Sequence, residues 1–199
     1  MLLISLTDLV DIVSKSGTPK ATKVAEVKTR PDYMPAFDFY KPLREAIIDT
    51  HQLMKGKKAI LEFYSSLADQ KKRTNYPPAI DGYRKWWGKK DLLWFEPPKA
   101  SYASNGIEVA VNPELGLRIN GTPHVIKLYF KAEPLSKLRV DLITVLMETV
   151  LRPKCKNGEK MAVLDVRNAK LFLLSAPLAP TKAVVDAELA YISALWPNA

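Results

Sequence analysis

Cysteine and histidine are almost missing from this chain. Cys155 is the only cysteine, which excludes a disulfide within the chain. With His51 and His124 the only histidines, there are too few soft ligands for a structural zinc site. No apolar run approaches the roughly 20 residues that span a bilayer, so no membrane partner is expected. The opening stretch, MLLISLTDLVDIV, is short and acidic and has no basic start, unlike a secretory leader. A cytoplasmic protein is therefore expected. Repeats and low-complexity tracts are absent. So are the G-x-S-x-G elbow and the G-x-G-x-x-G phosphate loop. The stretch Gly82 to Lys89 has one residue too many for a P-loop, and Lys90 stands where a magnesium-binding hydroxyl belongs.

What is present suits one α+β (α/β) domain. The 199 residues are 47% hydrophobic and 26% charged, with a net charge of +9. A chain of this length buries roughly 70% of its unfolded surface and needs no staples. The expected plan has an N-terminal helix and arm (1–38), a basic, aromatic segment (55–90) and a sheet core (91–174). The core is a central mixed sheet containing a three-stranded meander, then a helix and further strands, all flanked by helices.

The meander is read from Ile107 to Lys131. Three β-forming runs, Ile107–Val111, Leu115–Ile119 and His124–Phe130, are separated by Asn-Pro and Asn-Gly breaks. Asn120-Gly121 is a two-residue hairpin signal, because both residues tolerate positive φ. Leu135, Leu138, Leu142, Val145, Leu146 and Val150 then recur at helical spacing. Upstream, Ser5 caps a first helix with Asp8 at its third position. Residues 17–38 read as an extended arm with a short strand at Thr22–Lys28. Helices are expected at Phe39–Met54, Ala59–Gln70 and Lys182–Leu195. Strands are expected at Leu92–Phe95, Met161–Arg167 and Lys170–Leu174.

Segment 55–90 holds ten Lys/Arg against three acids, a net of +7. Lys71, Lys72, Arg73, Arg84, Lys85, Lys89 and Lys90 are interleaved with Tyr76, Tyr83, Trp86 and Trp87. Cations neutralise phosphates, and flat rings stack on bases at roughly 1–3 kcal/mol each. The segment therefore reads as a nucleic-acid grip, or as a solvated face whose tryptophans turn into the core. On the third strand of the meander, Ile126, Leu128 and Phe130 share one face. Val125, Lys127, Tyr129 and Lys131 share the other, which reads as able to hold phosphate.

The order helix, meander, helix, strand over Phe39–Leu174 resembles the PD-(D/E)XK nuclease-like fold. Asn112-Pro113-Glu114 stands where that family has Pro-Asp, Lys127 follows on the third strand, and Glu45 lies on a preceding helix. The resemblance implies that carboxylates hold Mg²⁺ while the lysine orients the attacking water. Glu45, Glu114 and Lys127 would be catalytic, and Glu108 and Glu114 would be metal ligands. The chain departs from the pattern at Val125, where an acid should stand two residues before the lysine. Taking Lys131 as the lysine puts Tyr129 there instead. The reading is a nucleic-acid-binding protein (DNA or RNA) on a PD-(D/E)XK-like scaffold with weakened or absent catalysis, Lys131 adding a phosphate contact. The alternatives are an active Mg²⁺-dependent nuclease and an interaction or scaffold protein with a basic face.

Overall fold

The computed structural model describes residues 1–31 and 38–198. In chain order its elements are β1 (Leu2–Ser5), α1 (Leu6–Val13), α2 (Gly17–Lys28), α3 (Lys41–Gln52), α4 (Lys58–Ser65), α5 (Gln70–Asn75) and α6 (Pro77–Trp87). There follow β2 (Leu92–Phe95), β3 (Ala100–Ser104), β4 (Ile107–Val111), β5 (Leu115–Ile119) and β6 (Thr122–Tyr129). The chain closes with α7 (Lys137–Leu151), β7 (Lys160–Asp165), β8 (Lys170–Leu173) and α8 (Leu178–Leu195).

The fold class is α+β, with two mixed sheets flanked by helices. The larger sheet has the order β2-β5-β6-β7-β8, with β6 and β7 parallel and the other pairs antiparallel. Asn120 (φ 48°) and Gly121 (φ 87°) make the β5–β6 turn, as expected of an Asn-Gly pair. The first strand of the expected meander departs from it. β4 pairs with β1 and β3 in a second, three-stranded sheet. A second Asn-Gly turn explains this: Asn105 (φ 51°) and Gly106 (φ 76°) fold β4 back onto β3.

Both faces of the larger sheet are covered. On one side Ile126, Leu128, Ala162 and Leu164 meet Leu43, Ile47, Ile60, Ile80 and Tyr83 of the α3–α6 lobe. On the other side Val125, Tyr129, Met161 and Val163 meet α1, α7 and α8. The smaller sheet lays Ile4, Tyr102, Ile107, Val109 and Val111 against these same helices. The face of β6 that carries Lys127 and Lys131 is thus under helices, with Val125 and Tyr129 buried, and is no open phosphate platform.

Ser5 caps α1 as expected, its Oγ accepting from the Asp8 N–H at 3.0 Å. The expected extended arm is instead partly helical. Pro19 sits in the first turn of α2, where a missing N–H costs nothing. Val24 is fully buried and Lys20 bonds Glu188 of α8 at 2.6 Å, which holds α2 down. The rest of that arm, residues 32–37, lies outside the described residues. In the basic segment, Asp69 caps α5 and Pro77 opens α6, adding two helices beyond those expected. Among the described residues no helix is long and apolar enough to cross a membrane.

Candidate nucleic-acid interface

Glu114 precedes β5, and Lys127 stands opposite it on β6. Glu114 Oε1 accepts from Lys127 Nζ at 2.5 Å, and Oε2 accepts from the Leu128 N–H at 2.7 Å. Lys127 also donates to the Asn112 carbonyl at 3.1 Å. Their side chains are only 10% and 16% exposed. Glu114 and Lys127, the two expected site residues, thus meet, but each carboxylate oxygen already has a protein donor. Next to it a cleft of about 20 Å³ is lined by Thr7, Asp11, Lys127, Tyr129 and Ile143, enough for one or two waters.

The neighbouring cations are also matched. Lys131 is bound by both oxygens of Asp11, a residue of α1. Arg139, buried at the start of α7, donates to the Tyr129 hydroxyl at 3.0 Å and to Ser14 Oγ at 2.9 Å. It pairs with Glu133 at 2.9 Å. Burial works against the Arg139 charge, but the Glu133 hydrogen bond together with the charges of Glu133 and Asp11 and the Tyr129 hydroxyl raises its pKa. Burial likewise pushes the Tyr129 hydroxyl up, despite the opposing effect of Arg139. Three cations face three carboxylates here. The expectation of a lysine-rich edge is corrected, because α1 brings Asp11 to Lys131 from 120 residues away in sequence.

The proposed acids do not converge. Glu45, exposed on α3, pairs with Lys41 on the far side of the sheet from α1. Glu108 is on β4 in the smaller sheet, opposite Leu3 and Ala103. Among the described residues no group of three or more His, Cys, Asp or Glu side chains could hold a metal ion. Magnesium needs several free oxygen ligands in octahedral array. Glu114, with both oxygens donated to, does not supply them, so the residues present do not fit that ion.

The basic segment keeps its charge but loses its rings. Trp86 is 4% exposed and packs on Tyr83. Trp87 lies on His51 at 4.6 Å between centroids. Tyr76 is stacked on Tyr40, and the Tyr83 hydroxyl is 2.6 Å from His51 Nε2 inside the lobe. Burial lowers the His51 pKa to about 4, so the ring is neutral near pH 7. Trp86 is therefore a packing residue, which corrects the stacking role expected of it, while Trp87 is half-buried with one side of its ring engaged by His51.

The cations divide into two groups, one at each end of α6. At its C-terminal end Lys57 donates to the Gly88 carbonyl at 2.5 Å. That bond joins the loop before α4 to the loop after α6, so the segment with Lys55, Lys57 and Lys58 meets the one with Lys85 and Lys89. At the other end are Lys71, Lys72 and Arg73, about 16 Å away along the helix. Lys72 is paired with Asp69, and Arg73 donates to the Leu67 carbonyl. Lys90 folds back on the Trp86 ring. Arg84 is half-buried, with its Nε enclosed and unpaired. Lys55, Lys58, Lys71, Lys85 and Lys89 are exposed and form no ion pair among the described residues. Two acids of the basic segment, Glu62 and Asp81, likewise form no ion pair among the described residues.

Sequence reasoning missed Asp11, Ser14, Glu133 and Arg139. Only their folding onto the end of β6 marks them out, since no local spacing links them. No protein-family model matches the chain, and no curated protein matches it in sequence.

Proposed function

We infer that the protein binds nucleic acid through its phosphates, using the helical lobe and without catalysing cleavage. The scaffold reading stays PD-(D/E)XK-like; α3, the β5–β6 hairpin, α7 and β7 keep the expected order, while β4, the expected first strand of the meander, lies in the other sheet. The observation that carries the function is the Lys57–Gly88 bond, which joins the two segments that carry five exposed lysines. They lie in a stretch of net charge +7. Lysines free of internal acids can replace condensed counterions on a phosphate backbone. With Tyr76, Tyr83 and Trp86 buried and Trp87 engaged by His51, contacts to charge rather than to sequence are expected.

The absence of cleavage is supported by the saturated Glu114 carboxylate and the dispersal of Glu45 and Glu108. Lys127 and Lys131, each held by an acid, take no part in phosphate binding on this reading. The test is fluorescence anisotropy with labelled oligonucleotides in about 100 mM salt, where losing several phosphate contacts costs roughly tenfold or more in affinity. The variant Lys55→Gln/Lys58→Gln/Lys85→Gln/Lys89→Gln loses that affinity, whereas Lys131→Gln retains it. Equal affinity of the quadruple variant and the parent chain contradicts the proposal.

A further inference from the structure

The turn that ends α3 presents two large apolar side chains to solvent. Leu53 is 60% exposed and Met54 88%. Their backbone is fixed. The Met54 N–H donates to the His51 carbonyl at 3.1 Å, and the Lys55 N–H to the Thr50 carbonyl at 2.8 Å. This is a Schellman closure, whose left-handed residue is ordinarily glycine. Here Met54 takes that position, with φ 50°. An L side chain is strained there, and Met54 gains almost no burial in return.

Cations surround this tip. Lys55, Lys57 and Lys58 follow it within four residues. The Lys57–Gly88 bond brings the segment with Lys85 and Lys89 to the same end of the lobe. Asp49 and Glu62 line the cleft between α3 and α4 together with Lys55, so lysines still outnumber acids here.

We propose that the lobe binds double-stranded DNA and inserts Leu53 and Met54 between two base pairs, kinking the duplex. This rests on the nucleic-acid reading and adds the form of the ligand. Leucine and methionine are among the apolar wedges that part a base step, beside cations that hold the phosphates. The residue order suits that task. Two adjacent side chains fill one opened step, and lysines beginning at the next residue reach the phosphates beside it. The hydrogen-bonded turn holds the wedge in place before binding. An anionic bilayer offers the same charge, but interfacial anchoring uses a whole apolar helix face, and this tip has two side chains. Pyrimidine–purine steps open most easily, so the kink follows duplex deformability rather than base contacts.

The test uses the full chain and two short duplexes labelled at both ends, one continuous and one with a central mismatch. A mismatch eases unstacking, so the parent chain prefers that duplex by roughly tenfold. Energy transfer between the duplex ends rises when it binds. Leu53→Ser/Met54→Gly binds both duplexes alike, keeps the salt slope of the parent and leaves energy transfer unchanged. Met54→Gly alone melts no lower than the parent, since glycine takes the left-handed position without strain, which separates lost kinking from misfolding. Salt-dependent binding by the parent with no preference and no change in energy transfer overturns the wedge and leaves the nucleic-acid reading standing. So does a double variant that still kinks the duplex. A parent that binds neither duplex overturns both. Capture of the parent, but not of the double variant, by phosphatidylserine vesicles, with duplex shape unchanged, assigns the tip to lipid and also overturns the proposal.

Discussion

Replacing Glu114 by alanine separates a structural carboxylate from a catalytic one. The substitution removes the partner of Lys127 and the acceptor for the Leu128 N–H, both within an enclosed turn. Breaking a fully buried ion pair from one side costs roughly 3–5 kcal/mol, because the surviving charge is stranded. Here the side chains are 10% and 16% exposed, so water screens part of that, and a loss of about 2–3 kcal/mol is expected. For a domain of this size that corresponds to a fall in melting temperature of roughly 5–10 °C. Lys127→Met keeps the stem and removes the charge, so it costs less. The double variant costs less than the sum of the two, with a coupling of roughly 1–3 kcal/mol. Thermal denaturation followed by circular dichroism measures all three, and anisotropy on the same samples reports nucleic-acid binding. A Glu114→Ala chain that melts within about 1 °C of the parent refutes the structural assignment.

Three other outcomes follow from the packing. His51 is held neutral with a pKa of about 4, below its ordinary 6.5, so the unfolded chain binds the extra proton between those values. Stability is full above pH 6.5 and falls toward pH 4, by up to about 3 kcal/mol from this group. His124, also lowered by burial, adds to the same slope, so urea titrations of His51→Phe show a flatter but not flat profile. A Cβ on Gly82 would lie 2.1 Å from the Val166 carbonyl oxygen and 2.7 Å from that of Arg167, both backbone atoms. Gly82→Ala therefore pushes α6 off the β7–β8 turn, and a destabilisation of at least about 3 kcal/mol is expected in urea unfolding. Trp86→Ala opens a cavity worth roughly 3–5 kcal/mol. Its affinity for oligonucleotides, measured on the folded fraction, stays that of the parent; a selective loss of binding would restore a stacking role.

Local signals carried much of this architecture, and long-range ones were invisible. Asn120-Gly121 announced its hairpin because the turn chemistry is contained in two residues. Asn105-Gly106 carries the same signal and would have assigned β4 to β3 rather than to the meander. The parallel pairing of β1 with β4 joins residues about a hundred positions apart, for which a single sequence holds no cue. Pro19 gave no cue to α2, because proline is found both just beyond helix ends and in first turns. The burial of Trp86 and the half-burial of Trp87 were readable. They continue the spacing of Tyr76, Ala79, Ile80 and Tyr83, the period of a buried helix face. Composition alone, cations beside rings, obscured it. At the Glu114–Lys127 site, sequence identified the pair but not its environment. Asp11 arrives there from α1, and Arg139 arrives from α7 already matched by Glu133, so an expected cationic edge becomes a neutral one.

The dependence of affinity on salt tests the central claim most directly. Five lobe lysines that displace counterions from a duplex predict a log–log slope of about −4 to −5. The quadruple variant at Lys55, Lys58, Lys85 and Lys89 is predicted to flatten it by about 3 to 4. A slope near zero in the parent chain, or one that the four substitutions leave unchanged, would contradict the account.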